Sequence, residues 1–460
     1  MTEARSEVTR SAVPGQPRLP RVLRLHDLIF YGIVIIQPIA PVPLFGIAQE
    51  LSHGHAVTTV LIAGIAMMLT AFSYGRMAAI YPLAGSAYSY VGRGLNPHLG
   101  FLAGWAMSLD YLVFPIVAII QAALTVQRLL PAIPYSAWVL FFVILLTGIN
   151  LRGVRTTARA NIVLLICMFV VIGAFLFLAI GYLFHRYGLQ GLFSIQPFYT
   201  SGTFQLRPIA TATSFVALTY IGFDGVTTLA EDVDNPRRNI MLATILICVF
   251  TTVFSCLLVY LAQLVWPDYH LLPNIETAFM DVTRAVGGAR LFQAMGIVIV
   301  LGSLGSGLAG QVAGARLLFA MGRDAVLPRK VFGYLDPVTN NPTFNIVLVG
   351  LLALVGSLLF NLERAAELLN FGAFLGYMGV NLAAMRQYYF APRRRQERRL
   401  LGDALVPALG FLFCLGMWLS LPKVAKIVGG LWFVAGLTYD AIMTRGFRNH
   451  PVMIDFSQPD

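Results

Sequence analysis

Residues 28–51 read LIFYGIVIIQPIAPVPLFGIAQEL, a segment long enough to cross a bilayer whose middle is interrupted by Pro38, Pro41 and Pro43. Proline lacks an N–H and its ring clashes with the preceding turn, so carbonyls upstream lose their helical partners. Pro41 or Pro43 can then start an outer half-helix, whose N-terminus carries partial positive charge. A second apolar segment, residues 206–232, breaks at its centre as Tyr220-Ile221-Gly222-Phe223-Asp224, where Gly222 lets the backbone leave the helix. Freed backbone at membrane depth is tolerated only where it is buried in protein or lines a cavity. Two such breaks at corresponding places in two halves therefore point to a solute-binding site at their junction.

The rest of the chain fits a membrane setting. Of its 460 residues 58% are hydrophobic, 12% are charged, and the mean hydropathy is +0.75. Twelve apolar stretches can be drawn, at about 28–51, 57–80, 98–126, 135–150, 159–184, 206–232, 239–266, 290–320, 343–360, 365–390, 403–421 and 425–444. This is an all-α polytopic chain rather than a set of soluble domains. The net charge of +11 does not point to nucleic acid, because the positive residues sort by side: with the N-terminus inside, 23 of the 32 Lys and Arg lie in inner segments and eight in outer loops. Such asymmetry places both termini in the cytoplasm.

The broken first and sixth spans lie five apart, an odd spacing that gives them opposite orientations. The expected organisation is a cytoplasmic tail over 1–24, a ten-helix core over 25–390 with inverted repeats at about 25–184 and 206–390, a basic loop with two accessory helices over 391–445, and a cytoplasmic tail over 446–460. Residues 84–97 read as an amphipathic lead-in to the third span. Gly302, Ser306, Gly310 and Gly314 share one face of the eighth span, a pattern that favours close helix packing; hydroxyls of Ser303 and Ser306 are the competing reading, as ligands of a coupling sodium ion.

The chemistry concentrates at the breaks. The substrate-binding candidates are Ile36, Gln37, Pro38, Ile39, Ala40 and Pro41 in the first, and Tyr220, Ile221, Gly222, Phe223 and Asp224 in the second. Asp224 and Asp110 (in GWAMSLDYLVFP) are intramembrane acids, which are costly to bury and are read as functional by default. Both are candidates for substrate contact or proton coupling, with an N-cap role the structural alternative for Asp224. Glu231 and Asp232 are candidate inner-gate residues. His53 and His55, in the first outer loop, are expected on the surface rather than around a metal. Cys167, Cys248, Cys256 and Cys414 all fall within spans, with no metal-ligand or disulfide spacing. No catalytic grouping is visible, and neither a cofactor nor a metal is expected.

Four stretches together resemble the amino acid–polyamine–organocation transporter superfamily: YPLAGSAYSYVGRGLNPHLGFLAGW (81–105), NLRGVRTTARAN (150–161), GFDGVTTLAEDVDNPRRNI (222–240) and ARLLFAMGRDAVLP (315–328). The resemblance implies a LeuT-like 5+5 inverted repeat within twelve helices, alternating access, and a substrate held between helices one and six. Asp-Tyr in the third helix and Gly-Phe-Asp in the sixth look most like bacterial putrescine importers. Two departures stand out: prolines replace the glycine-rich turn of amino-acid members in helix one, and the fifth helix has no lysine to carry a proton. The expected function is secondary active transport, as a proton-coupled importer in the bacterial inner membrane, of a small amine-bearing solute, either an amino acid or a polyamine such as putrescine. An exchanger, a sodium-coupled symporter and a transporter-like sensor without turnover remain open. The expected partners are the amine, protons or sodium, and membrane lipid.

Overall fold

The computed structural model describes residues 23–82, 86–153, 158–230, 233–323, 327–337, 341–391, 399–449 and 451. The first apolar segment forms α1 (Leu25–Ile36) and α2 (Phe45–Leu51), separated by a run of turns. There follow α3 (Ala56–Ile80), α4 (Ser86–Gly94), α5 (Pro97–Leu129), α6 (Tyr135–Leu151), α7 (Ala158–Tyr187) and α8 (Leu206–Val216). Two 3-10 segments, Ala217–Tyr220 and Phe223–Leu229, continue α8. The second half comprises α9 (Pro236–Val265), α10 (Ala278–Arg323), α11 (Arg329–Phe332), α12 (Thr343–Leu359), α13 (Leu362–Met385), α14 (Val406–Ser420) and α15 (Lys423–Met443).

Each drawn span contains a helix, and α4 occupies the amphipathic lead-in. Among the described residues nine helical segments are long and apolar enough to cross a membrane, and α1, α6 and α12 are shorter apolar helices. The eighth span begins about where it was drawn: Gly288, at φ 64° and outside helical geometry, divides α10 just before residue 290, and a separate helical run from Ala278 precedes it. Asn96 caps α5, its side chain accepting from the His98 amide at 2.8 Å, and Pro97 occupies the first helical position, where its missing N–H costs nothing.

Contacts between elements express the inverted repeat. Span one packs on span seven (α1 on α9), and its counterpart, span six, packs on span two (α8 on α3). The pair three–ten (α5 with α13) has its mate in eight–five (α10 with α7), and three–nine (α5 with α12) in eight–four (α10 with α6). Exchanging each helix for its partner five spans away thus maps contact onto contact, as a pseudo-two-fold axis in the membrane plane requires.

Burial ranks the helices. In the most apolar windows of α5 and α13, 78% of residues are buried, against 17% in α15. The last helix therefore lies at the periphery, fastened by a few specific contacts. Trp105 and Trp432 stack with ring centroids 4.9 Å apart, and each indole N–H donates to the other's carbonyl at 2.9 Å. His98 Nδ1 lies 2.9 Å from the carboxylate of buried Asp440. Most of the basic stretch 391–399 falls outside the described residues.

Candidate functional site

The first break is built by its prolines. Three prolines in six residues remove amide donors and bias the residues before them away from helix. The chain descends through successive turns instead, with Ala40 N–H donating to Gln37 O and Val42 N–H to Ile39 O, each at 3.0 Å. Gln37 opens the break with φ 64°. The outer half-helix begins at Phe45, not at Pro41 or Pro43, because the turn pattern persists through the last proline.

In the second break, Gly222 takes φ 111°, and a Cβ there would stand 2.5 Å from Cγ2 of Ile35 in α1. Glycine thus serves both the backbone conformation and the approach of the two breaks. The inner halves pair, α1 against Phe223–Leu229, as do the outer halves, α2 against α8. Past the break the chain returns to α1 as well: Leu23 and Val233 form a parallel bridge, and Asp234 N–H donates to Leu23 O at 2.9 Å.

Between the breaks lies a cavity of about 70 Å³. Ile36, Gln37, Ile39 and Ala40 line it from the first break, Ile221 from the second, and Phe114, Gln121 and Ser306 from α5 and α10. Its polar groups are two carboxamides and a hydroxyl. Gln37 is oriented by α10, donating from Nε2 to the Gly302 carbonyl at 3.1 Å. Pro38 lines a smaller neighbouring space with Ile33 and Thr251, and Pro41 is buried.

The acids form a second compartment beside this cavity. Asp110 stands one turn before Phe114, so the two share a face of α5. Asp110 and Asp224 are both buried and lie within electrostatic reach of one another. The Asp224 carboxyl is bonded by backbone at Gly222 and at its own position, and the Tyr377 hydroxyl donates to it at 3.5 Å. Tyr74, Phe223 and Tyr377 pack edge-on and tilted around it, with centroids 5.3 to 5.8 Å apart, and Tyr90 joins at 5.9 Å from Tyr74. Among the described residues neither acid forms an ion pair, whereas buried Asp403, Asp440 and Asp281 are each met by a basic side chain, Arg76, His98 and Arg128. An aromatic box around one carboxylate, with a second in electrostatic reach and no cation paired to either among the described residues, suits an ammonium group or a proton.

Other expectations resolve differently. Tyr220 does not line the cavity: it is fully buried, and its hydroxyl donates to the Val60 carbonyl of α3 at 3.0 Å. Phe223 is likewise enclosed in the aromatic box. Glu231 and Asp232 lie outside the described residues. His55 is not on the surface. It is fully buried, its Nδ1 is 3.0 Å from the Ser52 carbonyl, and its Nε2 accepts from the Thr200 amide at 3.1 Å, tying the loop before α8 to the α2–α3 turn. The small-residue face of α10 packs as expected, Gly310 against Phe114 and Gly314 against Tyr111 and Val349. Ser303 and Ser306 donate to carbonyls of their own helix, Ile299 and Ser303. The aromatic box itself was not singled out from sequence. Its tyrosines come from α3, α4 and α13, and only their intramembrane position could have drawn attention to them.

Comparison with known proteins agrees with this architecture. The low-affinity putrescine importer PlaP of Escherichia coli K12 is 32% identical over 446 residues, covering 96% of this chain and 98% of the relative. The methylthioribose transporter of Bacillus subtilis is 26% identical, covering 93% and 94%. The branched-chain amino acid permease BcaP of Lactococcus lactis is 25% identical, covering 91% and 93%. Among solved structures, the manganese transporter of Eremococcus coleocola superposes with a TM-score of 0.56 over 93% of this chain and 96% of that one at 13% identity, a likeness of fold. The amino acid permease family profile matches residues 39–440. With paired broken helices, exchanged helix contacts and a match over most of its length, the chain belongs to the amino acid permease family of the amino acid–polyamine–organocation superfamily.

Proposed function

We propose that this chain is a proton-coupled importer of a small amine-bearing solute, with a diamine such as putrescine as its cargo. The observation that carries the reading is the pair Asp110 and Asp224, buried in mutual reach without a basic partner among the described residues. A dication matches two carboxylates, and a putrescine importer is among the similar proteins. One ammonium meets Asp224 and the backbone opened at Tyr220–Phe223. The aliphatic chain lies toward Ile36–Pro41, and Asp110 receives either the second ammonium or the coupling proton. Rocking of the paired half-helices then exposes the site to the other side, with Glu231 and Asp232 as candidate gate residues. The setting is a bacterial inner membrane with both termini cytoplasmic.

A neutral amino acid is the second reading, favoured by the apolar and carboxamide lining of the 70 Å³ cavity. Uptake of labelled putrescine and labelled alanine into proteoliposomes under an inward proton gradient separates the two. Putrescine accumulation that collapses with the gradient supports the proposal; accumulation of alanine alone transfers the site to amino acids. Coupling that survives intact in Asp110→Asn with Asp224→Asn removes both acids from the proton path.

A further inference from the structure

A second acidic group stands where α2 ends, α13 begins and the short turn Ile275–Thr277 crosses between them. The three elements are pinned together. A Cβ on Gly46 of α2 would fall 2.1 Å from the Ile275 carbonyl, and Glu276 Oε1 accepts from the Leu362 amide at 3.4 Å. Glu363 lies within electrostatic reach of Glu50 and Glu276, and Glu367 within reach of Glu363. Arg364 is the cation that reaches both Glu363 and Glu367.

Glu50 is exposed and Glu276 and Glu363 are half-buried, but the deepest member of the group is withdrawn from solvent. Glu367 is 3% exposed and its Oε1 has no hydrogen-bond partner among the described residues. Gln49, next to Glu50 in sequence, is 1% exposed, and among the described residues both its carboxamide atoms and the buried Thr277 Oγ1 are unpartnered. Buried polar groups are nearly always paired, and leaving one unpaired carries the full cost of its desolvation. The unpartnered carboxylate oxygen of Glu367, in a negative surround, matches a primary ammonium, which brings three donors and no acceptor. Glu276 and Thr277 also border a small space shared with Val42 and Pro43 of the first break, and Pro43 borders the central cavity too. The Glu276 end of the junction thus lies beside the first break, on the outer side when the N-terminus is cytoplasmic.

We propose that this junction is an outer ammonium subsite, with Glu367 as its principal acceptor, that takes one end of an aliphatic di- or polyamine before the cargo reaches Asp110 and Asp224. The subsite rests on the reading of the chain as an amine carrier. It explains why a carrier would keep carboxylates at both ends of the path beside the first break.

The test compares putrescine with butylamine, which has the same carbon chain and a single ammonium. In reconstituted full-length protein, Glu367→Gln and, separately, Glu363→Gln should raise the KM for putrescine about tenfold, the worth of one charge-assisted contact, and shift that for butylamine less than twofold. A KM for putrescine unchanged in both variants, or equal shifts for the two amines, would overturn the subsite. Thermal unfolding of the detergent-purified protein supplies a second readout. Putrescine should raise the Tm of the parent more than that of Glu367→Gln, whereas equal protection by sodium or magnesium chloride at matched ionic strength would overturn an amine-specific site. If the parent transports neither amine, the carrier reading fails, while the Tm comparison still decides whether the junction binds ammonium.

Discussion

Asp224 has the clearest demands placed on it. Its carboxyl is met by the Tyr377 hydroxyl and local backbone, all of which an amide could still accept from, so Asp224→Asn should fold while losing the charge. Uptake of putrescine should fall by about 10- to 100-fold, the range of one charge-assisted hydrogen bond; a rate within twofold of the parent would remove Asp224 from the cargo path. Gly222→Ala should instead damage the fold. At φ 111°, with Ile35 Cγ2 2.5 Å from the new Cβ, the cost is about 1–3 kcal/mol, visible as a lower Tm in detergent. Tyr220→Phe separates the scaffold from the site: losing the bond to Val60 should cost about 1 kcal/mol with KM unmoved, and a raised KM would return Tyr220 to substrate contact. Gly222 and the prolines were legible because they act on their own backbone. The aim of Tyr220 and the burial of His55 were not, since Tyr220 follows a chain that has left helical periodicity and the partner of His55, Thr200, is 145 residues away.

At the scale of elements, apolar runs located the helices well, and proline and glycine located their interruptions. The start of α2 fell later than proline capping suggested, because a run of turns extends through Pro43, whereas the non-helical Gly288 marks the start of the eighth span close to where it was drawn. The attachment of the accessory helices was invisible in sequence. Arg76 of α3 pairs with Asp403, 5% exposed, before α14, and its guanidinium sits 3.5 Å above the Tyr388 ring. Arg76→Ala would leave a buried carboxylate unpaired, at a cost of about 3–5 kcal/mol. Arg76→Ala combined with Asp403→Leu should recover much of that loss, and a double variant no more stable than the single one would show that the contact with Tyr388 dominates.

For the whole molecule, the spacing of two breaks carried the inverted repeat, and the exchange of helix contacts between halves bears it out. Charge sorting makes a separate prediction about orientation. Thr203→Cys, in the exposed loop before α8, should react with a membrane-impermeant maleimide on intact cells, while Arg448→Cys should react only after permeabilisation. The native cysteines lie within spans, and because Cys167 is exposed on α7 both variants are read in a Cys167→Ser background. Reaction of Arg448→Cys on intact cells would invert the topology.

The pair of acids inside its tyrosine box also has an electrical consequence. With no fixed cation beside them among the described residues, the charge at the centre of the carrier is set by what it holds. Loaded with a diamine it is neutral, and membrane voltage does no work on its reorientation. Emptied and ionised, it would carry two negative charges back toward the outer face, and a potential negative inside would assist that return by up to about 2.3 kcal/mol per charge per 100 mV. Binding a proton at each carboxylate would make the return electroneutral but would carry protons outward, an exchange that an inward proton gradient opposes; import driven by that gradient needs Asp110 to carry its proton inward while Asp224 holds an ammonium. Voltage-clamped flux at fixed pH would therefore reveal which cycle the empty carrier follows.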